Sequence, residues 1–174
     1  MEKSGIYLFF SCYTGFAYSD VLKLKKDDII IGIHGGKQIN IKRTKTDIMS
    51  NVPLLDKALE ILKKYEDHPD CEYAGKLLPV KSNQKQNAYL KEIADLCGCN
   101  KNLTTHTARH TFATLMLTKG VSMESVSSML GHTNLRTTQI YGKIIAEKVV
   151  TEMANINKFF QSNNLESIDT KVTA

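Results

Sequence analysis

Between Asp28 and Pro53 the chain changes its period, and that change restricts its fold more than any other feature. On either side, apolar residues recur at helical spacing. Inside, Ile29 to Ile33, Gln38 to Arg43 and Met49 to Val52 are short β-type runs. Gly35-Gly36 separates the first two and the Lys45 to Asp47 turn the last two, connections of hairpin length. The expectation is an α+β fold, mostly α-helical, with one small three-stranded antiparallel sheet.

Around that sheet the helices follow from spacing and caps. Ser4 to Cys12 reads as helix already under way, broken at Thr14-Gly15, with Ser19 as N-cap of a short helix through Leu24. Leu54, Leu55, Ala58, Leu59, Leu62 and Tyr65 predict a helix over 54–66, after which His68-Pro69-Asp70 reads as a loop. Further helices are expected from Asn83 to Leu96 or Cys97, closed by Gly98, and from His106 to Lys119, with Thr105 as cap and Gly120 beyond the end. Met123 to Leu130 is a short helix, another leads towards Tyr141, and Ile144 to Phe160 forms a long last one. Phe112, Leu115, Met116 and Leu117 are core positions. Residues 161–174 read as a polar, loose tail.

At 174 residues, 42% hydrophobic and 24% charged, the chain suits one domain with a substantial core. A net charge of +5 is compatible with a partner bearing phosphates and does not by itself require one. No run approaches the ~18 apolar residues of a membrane span, and no secretory leader pattern is present. Cys12, Cys71, Cys97 and Cys99 read as free thiols of a reducing cytoplasm, because Cys97 and Cys99 form a C-x-C without a second pair at zinc-site spacing.

The chemistry concentrates in His106-Thr107-Ala108-Arg109-His110, Leu130-Gly131-His132 and Tyr141. On a helix, His106, Arg109 and His110 stand at i, i+3 and i+4 and share a face. A guanidinium there offers a planar fork to two oxygens of one phosphate, and an imidazole beside it donates a hydrogen bond or moves a proton near neutral pH. Gly131 lets the backbone turn and present His132 to the same spot. Tyr141 supplies a nucleophile, which needs cations or a base because a free phenol has a pKa of roughly 10. A zinc site is disfavoured: Thr107 stands where a metalloprotease helix has Glu, and Arg109 between the histidines would repel a cation.

The string HTARHTFATLMLTKGVSMESVSSMLGHTNLRTTQIYGKI closely resembles the C-terminal signature of tyrosine recombinases: His-x-x-Arg-His, then Leu-Gly-His, then Tyr nine residues after that His. TKTDIMSNVPL resembles the family's β-hairpin with its catalytic Lys, which falls on Lys45, and SCYTGFAYSDVLKL its first catalytic helix junction. These anchors span residues 8 to about 160. The resemblance implies the DNA breaking-rejoining catalytic fold over residues 1–160, without the family's N-terminal core-binding domain. It implies that Tyr141 attacks the scissile phosphate to give a 3′-phosphotyrosine and a free 5′-hydroxyl. Lys45 would protonate the leaving oxygen, Arg109 would clamp the non-bridging oxygens with His132 as second donor, and His106 would assist proton transfer at the nucleophile. His110 would support the site. No metal, nucleotide or other cofactor is implied.

One position departs from the family. An Arg usually follows Thr-Gly-[apolar], and Ala17 stands there, as in integrases of Bacteroides-type mobile elements, which the chain resembles. Arg43, two residues from Lys45 at the strand end, is the expected substitute. Lys42 and Arg43 are expected on DNA; Arg136 reads either as a backbone contact or as surface charge. The implied activity is integration or excision of a mobile element by a bacterial cytoplasmic, nucleoid-associated enzyme. An Xer-like resolvase, a DNA invertase or an inactive DNA-binding relic are the alternatives. The implied partners are double-stranded DNA and further recombinase subunits in a tetramer. Ile144, Ile145, Val149, Met153 and Ile156 of the last helix would dock on a neighbour.

Overall fold

The computed structural model describes residues 2–162, with side chains over 4–143 and 146–161. Its first helix, α1 (Glu2–Thr14), runs through the centre and packs on three later helices, so that Tyr7 and Phe10 are fully buried while Phe9 faces out. Gly15 ends it in the left-handed region at φ 68°. A Cβ there would stand 2.5 Å from the Phe112 ring, so only glycine permits both the turn and the close approach. The short α2 (Tyr18–Val21) follows, with Ala17 rather than Ser19 at its N-cap. Ser19 lies inside the helix, and the extended backbone at Ala17 starts it without a side-chain cap.

The three strands are β1 (Ile29–Ile31), β2 (Lys37–Lys42) and β3 (Met49–Pro53), antiparallel in sequence order. Ile39 pairs with Ile29 on one side and Val52 on the other, and this register puts Ile39 and Val52 in the core. β1 is shorter than expected because the Gly32 N–H turns back onto the Gly36 carbonyl, leaving Ile33 wholly exposed. Arg43 falls just past β2: its N–H and carbonyl both close the hairpin turn, to Ile48 and Asp47.

α3 (Asp56–Lys64) is as the periodicity predicts, but His68-Pro69-Asp70 is not a loop. It opens α4 (Pro69–Ala74), where Pro69 takes the first helical position and His68 Nδ1 accepts from the Asp70 N–H. α5 (Asn83–Leu96) and α7 (Met123–Leu130) fall on their expected residues. Between them lies α6 (Thr105–Thr118), capped by Thr104 rather than Thr105. Thr104 and Thr107 bond reciprocally, each hydroxyl accepting from the other's N–H, while the Thr105 N–H is taken by Asn87 of α5.

Two apolar clusters result. One joins α1, the sheet and α3 through Tyr7, Phe10, Phe16, Ile39 and Val52. The other joins α6 and α7 through Phe112, Leu117, Val126 and Leu130, and includes Tyr141. Of the expected core positions, Phe112 and Leu117 are buried and Leu115 and Met116 half-buried. The segment towards Tyr141 is two successive 3₁₀ turns, Leu135–Thr137 and Gln139–Tyr141. α8 (Gly142–Ser162) packs its start on α6 and runs into the expected tail; residues 163–174 lie outside the described residues. Val149, Val150, Met153, Ile156, Phe159 and Phe160 of α8 are all exposed. Among the described residues no helix is long and apolar enough to cross a membrane.

Candidate active site

α6, the end of α7, the β2–β3 turn and the second 3₁₀ turn converge on one cavity of about 310 Å³. It is lined by Arg43, Lys45, His106, Arg109, His110, His132 and Tyr141, together with Ala17, Asp20, Thr46 and Gly131. A larger hollow between β1 and α3, about 850 Å³, is lined by apolar side chains, four lysines and Glu66, with no histidine or arginine in its wall.

Arg109 is held from two sides. Its Nη1 donates to the Gly15 carbonyl at 2.8 Å and its Nη2 to the Leu130 carbonyl at 2.6 Å. Each of those nitrogens carries a second hydrogen, so the carbonyls orient the fork without exhausting it. Among the described residues no carboxylate is bonded to it. Burial pushes its pKa down, and Asp20 and the Tyr141 phenol pull the other way.

Arg43 is the buried counterpart, only 3% exposed. Its Nη1 meets Asp20 Oδ2 at 3.1 Å, its Nη2 donates to the Met129 carbonyl, and the guanidinium lies 4.3 Å over the Phe16 ring. Burial, then the neighbouring Arg109, lowers its pKa to about 10 against the pull of Asp20, which still leaves it charged at pH 7. Asp20 also accepts from the Thr44 N–H at 2.8 Å, so one buried carboxylate fixes both Arg43 and the turn carrying Lys45. Thr46 donates to the Gly131 carbonyl and ties that turn to the end of α7. Gly131 itself, at φ 66°, is required: a Cβ would stand 2.6 Å from Arg43 Cγ.

Sequence spacing places Arg43 and Lys45 on one side of a strand. In the structure neither is in the strand; Arg43 turns inward, Lys45 is exposed in the turn, and both border the cavity. Lys42 and Arg136 do not line it. Both are exposed, Lys42 paired with Asp47 at 2.7 Å.

The imidazoles divide. His132 Nδ1 meets the buried Thr138 hydroxyl at 2.8 Å, and burial with the two arginines pushes the His132 pKa down to about 4. It is a neutral ring at pH 7. His106 is also pushed down, by burial, then by His110, Arg109 and Lys45. His110, expected only to support, is in direct contact with Tyr141: its Nδ1 lies 2.6 Å from Tyr141 Oη. Tyr141 is 8% exposed; burial raises its pKa and Arg109 lowers it. Its N–H donates to the Thr138 carbonyl, so Thr138 holds the Tyr141 turn as well as His132.

Asp20 and Thr138 are the site residues that sequence reasoning passed over. An acidic residue in a short helix carries no local sign that it will meet an arginine 23 positions away. Thr138 had a weak one, lying between the motif His132 and Tyr141.

Within this fold, three histidines, the buried Arg43, the half-buried Arg109 and the Tyr141 phenol border one cavity. Residues 3–147 match the phage integrase family, and the chain belongs to it. It is 33% identical over 147 residues to a tyrosine recombinase of Thermosipho africanus, covering 80% of this chain and 48% of that protein. It is 31% identical over 145 residues to the tyrosine recombinase XerA of Thermococcus onnurineus, covering 76% and 48%. The chain therefore spans about half the length of these curated relatives. Among solved structures, XerH site-specific recombinase bound to difH substrate superposes with a TM-score of 0.62 at 25% identity, over 79% of this chain and 42% of that one. The Tn1549 transposon integrase shares the fold, with a TM-score of 0.64 at 16% identity over 80% and 54%.

Proposed function

We propose that this chain is the strand-cleaving and rejoining part of a site-specific DNA recombinase acting through a 3′-phosphotyrosine on Tyr141. The observation that carries this reading is the shared cavity: a buried phenol, two guanidiniums with a single buried carboxylate between them, and two imidazoles held neutral. Its charge is left short of anions, which is the state a phosphodiester would correct. Arg109 clamps the non-bridging oxygens and His132 donates to them. Lys45 protonates the leaving 5′ oxygen, and His106 takes part in proton transfer. Arg43 supplies the second cation that Ala17 lacks; its Nε–H is buried without a hydrogen-bond partner beside Gly131. A cation so placed argues against an inactive relic.

Double-stranded DNA is the substrate, with Lys42 and Arg136 on its backbone, and the biological outcome is integration or excision of a mobile element in a bacterial cytoplasm, at the nucleoid. Subunits assemble as a tetramer on DNA, with Val149, Met153 and Ile156 of α8 docking on a neighbour. The side chains of Ile144 and Ile145, expected on that face, lie outside the described residues. Binding by these 174 residues on their own is expected to be weak, salt-dependent and poorly sequence-specific.

The test is a duplex nicked beside the cleavage site, which traps the covalent intermediate. A slow-migrating protein–DNA band that disappears in Tyr141→Phe supports the reading. Binding with no such band in the parent overturns it.

A further inference from the structure

The two histidines flanking Arg109 do not occupy equivalent places. His110 Nδ1 is in hydrogen-bond contact with the Tyr141 phenol, and its ring stands 5.7 Å from the Tyr141 ring. His106 touches His110 edge-on, with ring centres 4.8 Å apart at 89°, and its electrostatic neighbours are His110, Arg109 and Lys45. One imidazole therefore faces the nucleophile, and the other faces the cations expected on the phosphate and the leaving group. Tyr141 is buried, and His110 beside it is exposed.

We infer that His110, rather than His106, accepts the Tyr141 proton, and that the pair splits proton transfer between the two ends of the reaction. This rests on the recombinase reading above. In the cleavage direction, Tyr141 Oη forms the new bond to phosphorus while its proton passes to His110 Nδ1. The P–O5′ bond breaks, and the 5′ oxygen takes a proton from Lys45 Nζ. In rejoining, the 5′-hydroxyl returns its proton to Lys45 and attacks phosphorus. The P–Oη bond breaks, and the proton on His110 goes back to the phenolate. Protons and charges balance in both directions, and no other reactant is needed.

Two observations favour this division over a shared role. At 2.6 Å, the Nδ1–Oη contact is at the short end of hydrogen-bond lengths, within the reach a proton acceptor needs. The edge-on His106 ring disfavours a charge on both rings at once, so a proton taken up by His110 suppresses protonation of its neighbour. His106 then stays neutral beside the phosphate while the nucleophile is being activated.

Single-turnover covalent adduct formation on the nicked duplex, followed from pH 5 to 10, tests the inference with three proteins. The parent's rate is expected to rise through the histidine range and level off. His110→Asn keeps a hydrogen-bonding group near the position of Nδ1 but cannot accept a proton. Its rate is expected to fall about 10²-fold at pH 7 and climb steadily towards the phenol range. His106→Asn is expected to slow the reaction while keeping the parent's ascending limb. Added imidazole should partly restore His110→Ala and leave His106→Ala unchanged. If His110→Asn keeps the parent's pH profile, whether or not its rate is reduced, His110 is a structural support and the inference is overturned. If His106→Asn alone loses the limb, the roles are reversed. Absence of any Tyr141-dependent adduct in the parent overturns the recombinase reading itself, and this inference with it.

Discussion

The cavity wall and the last helix are built on opposite principles. Around the cavity, Arg109, Arg43, Asp20, Thr46 and Thr138 each spend their polar groups on other parts of the chain: Gly15, Leu130, Met129, Thr44, Gly131 and His132. These bonds cross from helix to turn to loop, so the site is assembled before any substrate arrives. α8 has a row of large apolar side chains in solvent, flanked by the exposed pair Lys143–Glu147 and by Lys148–Glu152, whose lysine is half-buried. The first region is tied together by bonds within the chain; the second has the chemistry of a surface that awaits cover. Substitutions should therefore read out differently in the two places.

The largest effect is expected at Arg109. Arg109→Ala removes the clamp and leaves two carbonyls without their donor, so adduct formation on nicked DNA should fall by about 10³-fold or more. Arg109→Lys should recover little, because a point charge does not span Gly15, Leu130 and a phosphate together. Full activity in Arg109→Lys would show that charge alone matters there.

Next comes the buried pair. Arg43→Ala leaves Asp20 charged and unpaired in the core, with an expected loss of about 3–5 kcal/mol in urea unfolding. Asp20→Asn together with Arg43→Met should be much less harmful than the sum of the single changes. If the double variant is simply additive, the two side chains are not coupled as described. Should Arg43→Met cleave as fast as the parent, Arg43 does not replace the missing arginine at Ala17.

A smaller effect concerns pH. The folded chain holds His132 near a pKa of about 4, whereas an unfolded histidine titrates near 6.5. As pH falls from about 6.5 towards 4 the unfolded state takes up a proton that the folded state refuses, so stability falls across that window and levels off below it. Because the ring is only half-buried, the expected loss is about 1 kcal/mol after solvent screening. His132→Asn should lack that component, and identical acid limbs in the two proteins would refute it.

The smallest change is expected in α8. Met153→Ser with Ile156→Ser should alter the unfolding free energy of the isolated chain by less than about 0.5 kcal/mol, while reducing multi-subunit complexes on DNA. A large loss of stability would mean that this face is already covered within the chain.

What the sequence could disclose follows the range of the interactions. Helices with a clear local pattern, α5 and α7, lie on their expected residues, α5 closed by Gly98 as read from the sequence. The chemical motif is legible because a helix sets His106, Arg109 and His110 on one face whatever surrounds them. α4 was hidden because Pro69 reads as a breaker unless its position in the first turn is known. The Asp20–Arg43 pair, and the contact between His110 and Tyr141 across 31 positions, depend on how distant segments fold together. Arg43 shows the limit best: spacing brings it to the site, but only the packing of Phe16, Met129 and Gly131 reveals that it is buried there.

The account stands on the phenol of Tyr141 becoming joined to a phosphate gripped by Arg109. After trapping on nicked duplex, trypsin should release the peptide Thr137–Lys143 with a nucleotide linked through its 3′ phosphate to Tyr141, seen by fragmentation mass spectrometry. A nucleotide on any other side chain, or unmodified Thr137–Lys143 in protein that has cut its DNA, would contradict it.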